Sequence, residues 1–189
     1  MPRGIAKDHD EKRTALQSGA ARYFAAHGFD RASMSGAARA CGVSKALLYH
    51  YHDSKEALLY DILDAHLSHL LDTAHAAAPA GLNALIAAIL DAYQDADAAH
   101  KLQLEALPLL PQDLRAPLVM LQRELVTLMS GVIALRRPDL PADRLRAATM
   151  TVFGILNWLD MWHRPNKGMG RKEYALFAAD FVEGGLAQV

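Results

Sequence analysis

The chain has 189 residues, 52% apolar and 22% charged, which suits one compact domain or a small domain joined to a larger one and excludes a disordered chain. Its formal net charge is −1, but residues 1–60 hold nine basic and six acidic side chains and the rest eleven and fifteen, the split expected of a nucleic-acid-binding head on another body. One cysteine, Cys41, excludes a disulfide framework; with no signal-peptide pattern and no uninterrupted apolar run of about eighteen residues, a cytoplasmic chain that does not enter a membrane is expected.

Alanine and leucine dominate, and β-branched residues never alternate with polar ones over a strand length, so the reading is helical throughout. A first helix is predicted from about Asp10 to His27, closed by Gly28 and Phe29. A short one follows, about Met34 to Ala40, with Ser33 as its cap. Gly42 then turns the chain, and Ser44 caps a third helix through Tyr51. Asp53-Ser54 starts a long helix from Lys55 to about His75. Further helices are predicted from about Leu82 to Ala96 and from about Ala98 to Leu107, the latter stopped by Pro108. Three more follow: about Gln112 to Arg137 with Pro117 in its first turns, Ala142 to about Trp162, and Arg171 to Leu186. About nine helices with short connections make an all-α fold.

The informative segment is Ser33–Tyr51, two short helices around a tight glycine-containing turn, the layout of a helix-turn-helix. Ala37, Ala38 and Ala46 permit close crossing, while Val43 and Leu48 can bury between the helices. Ser44, Lys45, Ala46, Tyr49 and His50 are left facing outward. A hydroxyl, a cation, a small apolar contact for a thymine methyl and two polar rings suit a major groove and its flanking phosphates. A solvated helical hairpin is the plain alternative.

The order Phe24-x-x-x-Gly28-Phe29, Cys41-Gly42-Val43-Ser44, Leu48-Tyr49-His50-Tyr51 and Ser54-Lys55-Glu56-Ala57-Leu58 resembles the TetR family of bacterial transcription regulators over about Lys12 to Leu63. The resemblance implies a DNA-binding head, residues 1–54, and an effector-binding and dimerising body, residues 55–189. It makes the third helix the recognition helix. Lys45 would reach a base edge or phosphate, Tyr49 and His50 would meet the backbone, and Lys55, with Ser33 and Ser44, would hold phosphates. Gly36-Ala37 stands where the family usually has an acidic residue and an isoleucine, which predicts a less well packed second helix. His52 replaces a usual buried Phe. It is expected to be either a satisfied, partly buried imidazole or a group whose titration loosens the head.

In the body, Phe153-Gly154-Ile155-Leu156-Asn157-Trp158-Leu159-Asp160-Met161-Trp162-His163-Arg164-Pro165 resembles a pattern of TetR members that sense acyl-CoA thioesters. His163 replaces that pattern's Tyr, and Asn166-Lys167 its more common Asp-Gly. The arm around Leu104 to Arg115 is similar to that of phenylacetyl-CoA-type regulators. The resemblance implies an operator-bound homodimer, dimerising through the last two long helices and released by an acyl-CoA effector, with no resident cofactor. Asn157, Trp158, Trp162 and Arg164 are the principal candidate effector contacts, joined by Tyr93, Gln94, Leu104 and Phe153. Helical spacing puts Asn157 and Trp158 on one face with Met161 and Trp162, although tryptophans at that spacing also serve as core or dimer contacts. An efflux-type regulator of a hydrophobic molecule is the alternative.

An enzyme is not expected. His66 and His69 could supply two metal ligands from one helix, but spacing places no third, and no nucleophile elbow or phosphate-binding glycine loop is present.

Overall fold

The computed structural model describes residues 3–94, 96–164 and 167–189, with backbone alone for 3–8, 10 and 160. Among the described residues ten α-helical segments run in order: α1 (Arg3–His27), α2 (Met34–Ala40), α3 (Lys45–Tyr51), α4 (Lys55–Ala77), α5 (Leu82–Gln94), α6 (Asp97–Glu105), α7 (Gln112–Arg136), α8 (Ala142–Asn157), α9 (Leu159–Trp162) and α10 (Arg171–Leu186). Nine are longer than one turn. Among the described residues the only extended pairing is an isolated antiparallel bridge between Arg164 and Lys167. The fold is all-α.

Two predicted boundaries move. α1 begins at Arg3, well before Asp10. The helix expected to run to Trp162 stops at Asn157, because Trp158 (φ −77°, ψ −11°) closes the turn, donating its backbone N–H to Gly154 O, and the single turn α9 follows. Asn157 and Trp158 therefore do not share a continuous helical face with Met161 and Trp162.

By contacts the chain forms two compact units: Met1–His66 with Ala98–Leu118, and Leu67–Asp97 with Val119–Val189. The division differs from one drawn at residue 54: the first half of α4 and most of α6 join the helix-turn-helix. In the first unit, Leu16, Ala20 and Phe24 of α1 pack inward with Met34, Ala37, Ala38, Leu48, Leu58 and Leu59. Lys101 Nζ on α6 donates to Ala25 O at 3.0 Å, tying the end of α1.

The second unit has its own apolar core. α5 supplies Leu85, Ile86, Ile89, Leu90 and Tyr93, and lies chiefly along α10, where Ala175, Ala178 and Ala179 allow close approach. Leu125, Met129 and Ile133 of α7 and Val152, Phe153 and Leu156 of α8 complete it. Pro117 is the sixth residue of α7; Arg115 N already closes the first turn on Pro111 O at 2.8 Å, so the missing N–H of Pro117 leaves Asp113 O without its i+4 donor. By length and composition α7 could cross a membrane; Arg123 and Glu124 interrupt it, and only 28% of its most apolar stretch is buried.

Candidate nucleic-acid interface and effector site

Local chemistry builds the helix-turn-helix. Ser33 Oγ accepts from Gly36 N at 3.1 Å and Ser44 Oγ from Leu47 N at 3.1 Å, so each hydroxyl caps its helix and still has a proton to donate outward. Between them Gly42 takes φ +67°. Val43 N donates to Ala38 O (3.0 Å) and Gly42 N to Arg39 O (3.1 Å), the paired bonds of a left-handed helix stop that glycine adopts without strain. Leu48 is fully buried and Val43 half-buried, locking α3 across α2.

Four cues place the outer face of α3. Ser44, Lys45, Ala46, Tyr49 and His50 are all exposed, as their pattern predicts. Lys45 Nζ lies 5.5 Å from the centre of the Tyr49 ring, so cation and phenol form one contact surface. Ser33 is exposed beside them on the same motif, and α2 adds Arg39, exposed in its last turn. Sequence reasoning passed over Arg39 because a cation at a helix C-terminus is accounted for by the helix dipole alone.

The predicted looseness of α2 is not found. Ala37 and Ala38 are buried, and the side chain of Tyr23 fills the space over Gly36: a Cβ there would lie 2.0 Å from the Tyr23 hydroxyl. The ring from α1 thus packs at the position of the missing acidic residue, and Ala37, at that of the missing isoleucine, is itself buried. Lys55 also departs from its expected role. Its ammonium donates to Phe29 O (2.9 Å), Ala32 O (3.3 Å) and Asp30 O (3.4 Å), and lies 4.3 Å from the centre of the Phe29 ring. With its donors turned to three carbonyls, Lys55 straps the α1–α2 turn to the start of α4 instead of reaching outward for a phosphate. His52 is buried, with Nδ1 2.8 Å from Asp61 Oδ2.

The expected effector residues do not converge on one cavity. Tyr93 is a core residue whose hydroxyl donates to Asn157 Oδ1 at 3.0 Å, and Phe153 is buried beside them in the same core. Gln94 is exposed. Trp158 is 62% and Trp162 48% exposed. Arg164 is exposed and donates to the neighbouring His163 O. Leu104 is exposed and belongs to the first unit, not the second. Pro165 and Asn166 of the sequence pattern lie outside the described residues.

Grooves in the second unit fall elsewhere. One of about 430 Å³ is lined by Ile155, Trp162, Met169, Tyr174, Phe177 and Phe181, so Trp162 lines it while Asn157 and Arg164 do not. Its rings form a ladder, Trp162 to Tyr174 at 5.3 Å, Tyr174 to Phe177 at 6.4 Å and Phe177 to Phe181 at 6.2 Å between centres. A wider groove of about 880 Å³ opens between α7 and α8 over Gly131. His66 is buried with its ring 5.9 Å from that of His100, whereas His69 is exposed, so the two do not form a ligand pair. Among the described residues no group of three or more His, Cys, Asp or Glu side chains is placed to hold a metal ion.

Residues 16–62 match the model of bacterial regulatory proteins of the tetR family, and residues 75–186 that of the tetracyclin repressor-like C-terminal domain. A solved TetR-family transcriptional regulator from Bordetella parapertussis 12822 is similar at 31% identity, covering 94% of this chain and 96% of its own, with a TM-score of 0.83. The chain belongs to the TetR family. It is a TetR-type transcriptional regulator with a DNA-binding helix-turn-helix head and a helical C-terminal domain. PfmR from Thermus thermophilus is similar in fold (23% identity, 89% of this chain and 97% of that one, TM-score 0.80), as is AibR, solved with isovaleryl coenzyme A and operator DNA (19%, 94% and 97%, 0.75). No curated protein matches the sequence. Within this TetR regulator, α3 is the second helix of the helix-turn-helix, and the exposed face described above is what it presents.

Proposed function

We propose that this chain is a cytoplasmic repressor that binds a palindromic operator as a homodimer and is released by an acyl-CoA thioester, phenylacetyl-CoA or a close analogue. The observation that carries the DNA half is the outward face of α3, where every exposed side chain is one a major groove accepts. One seven-residue helix reads few bases, so a two-fold pair is needed for specificity. The apolar face that a second copy would cover is offered by α8 and α10. There Leu176, Phe177 and Phe181 are exposed, and a groove of about 380 Å³ runs along Val152, Ile155 and Phe181.

The effector half is supported by the Asn157-Trp158 pattern, by the aromatic groove at Trp162, and by a fold shared with AibR, which was solved with isovaleryl coenzyme A. A ligand that binds better to a state with mis-spaced heads releases DNA, and DNA must weaken ligand binding by the same factor. The second reading, a neutral hydrophobic effector, is favoured by the same groove, whose lining carries no charged side chain. Thermal shift and gel shift against acyl-CoAs, free acids and hydrophobic drugs decide between them. Thioesters should raise the Tm and release operator; stabilisation by free drugs and by no thioester sinks the acyl-CoA reading. Lys45→Ala should weaken operator binding by about 1–3 kcal/mol.

A further inference from the structure

The recognition helix is two turns long, so its orientation depends on how its ends are held. Ser44 fixes the start. At the other end the backbone N–H of His52 donates to Leu48 O at 3.0 Å, and the His52 ring, wholly buried, is 2.8 Å from Asp61 Oδ2 on α4. The same carboxylate oxygen accepts from Arg13 Nη2 on α1 at 2.9 Å. One oxygen thus joins α1, α4 and the end of α3. With Asp61 ionised opposite Arg13, Nδ1 carries the ring's hydrogen and donates it. Nε2 is then a bare acceptor, buried and without a hydrogen-bond partner among the described residues.

We propose that His52 is the positioning residue of the recognition helix: its neutral ring clasps the end of α3 to Asp61 and Arg13, and a proton on Nε2 opens the clasp and loosens α3 from operator. The proposal rests on the DNA-binding reading of α3.

A cation on Nε2 would be dehydrated with nothing to accept its hydrogen, so the closed head holds the neutral ring. Burial pushes the His52 pKa below the ordinary imidazole value; the hydrogen bond and charge of Asp61 oppose this, Arg13 reinforces it, and Asp53 weakly opposes it. On α4, Tyr60 faces Asp61 and Asp64, and burial with those carboxylates pushes its phenol up, so it stays neutral. On α1, His9 packs its ring 4.7 Å from that of Tyr51, beside the clasp. Because the folded value lies below the unfolded one, the clasp contributes fully above about pH 6.5 and is lost as pH falls toward the folded value. His50, exposed on α3, is common to the wild type and to a His52 variant, so it drops out of their comparison.

The test uses the full chain and a duplex that it selects from a random-sequence library at about pH 7.5, followed by fluorescence anisotropy at constant salt down to about pH 5.5. Wild-type affinity should fall by about tenfold over that range. His52→Asn keeps a donor toward Asp61 but cannot titrate, and its affinity should stay level or rise. Equal profiles for the two proteins overturn the proposal. An NMR titration of the His52 ring in the wild-type chain reads the clasp without DNA or variants. A midpoint below the ordinary imidazole value supports it, and one at or above that value overturns it. Failure to enrich any duplex sinks the DNA-binding reading, and the ring titration still decides whether the clasp exists.

Discussion

The glycines separate the two units of this molecule. In the head, Gly19 and Gly36 are glycine because something occupies the space: a Cβ would lie 2.6 Å from Cys41 Sγ at the first and 2.0 Å from the Tyr23 hydroxyl at the second. In the body, a Cβ at Gly131, Gly154, Gly184 or Gly185 meets nothing within 4 Å. The same unit leaves Leu176, Phe177 and Phe181 exposed along α10. The head is shape-fitted within one chain, and the exposed side chains of its helix-turn-helix are polar or small. The body has a finished core on one side and uncovered apolar surface on the other. A reader of DNA must hold its recognition helix rigidly before it meets the duplex, whereas the dimerising, ligand-binding role proposed for the body needs surface kept for what it will meet.

The sharpest way to break that contrast is to empty the head. Leu48→Ala removes the fully buried side chain that locks α3 and should cost about 2–5 kcal/mol, seen as a large fall in Tm with loss of operator binding. A head that tolerates it without change is not packed as described. Gly36→Ala overfills the same interface and should cost about 1–3 kcal/mol. Because the clash is with the Tyr23 ring, Tyr23→Leu in the same chain should recover much of the loss in a double-mutant cycle, and simple additivity would refute the fit.

Much of the head was readable from sequence because its signals are local. Ser33, Ser44 and Ser54 each cap three residues ahead, and Gly28 and Gly42 each close the helix just before them. Nothing local announces Tyr23 over Gly36, Lys55 on the carbonyls of Phe29 and Ala32, or Arg13 on Asp61, which lie 13 to 48 residues apart. Lys55 misled for a related reason: a lysine at a helix start looks the same whether its ammonium faces a phosphate or a neighbouring turn. In the body the helices were legible from their apolar periodicity. The effector residues were not, since a motif gives spacing but not the break at Trp158 that puts Asn157 against Tyr93 and leaves Trp158 exposed.

Lys45 and Lys55 sharpen the comparison inside the head itself. Lys55→Met strips a donor from three carbonyls and should cost about 1–3 kcal/mol of stability, while leaving the salt dependence of operator binding as it was. Lys45→Ala should do the reverse, with little change in Tm and a salt slope reduced by about one if the ammonium meets a phosphate. If Lys55→Met flattens the salt slope while Tm stays constant, its ammonium leaves the α1–α2 turn for the duplex.

The smallest effect concerns the body. Gly131 lies in the C-terminal half of α7, facing the groove toward α8, with open space where a Cβ would go. Alanine there gains helix propensity of about 0.5–1 kcal/mol and meets no atom. For a chain of this size that is a rise in Tm of about 2–4 °C per kcal/mol. The proposed dimer face is built from α8 and α10, so this rise should appear with no change in the sedimentation coefficient. A fall in Tm, or a shift toward monomer, would mean that a second copy fills the α7–α8 groove in solution. The open glycine would then be close-fitted after all, against a partner instead of a neighbouring helix, and the contrast between head and body would be one of when each surface is filled.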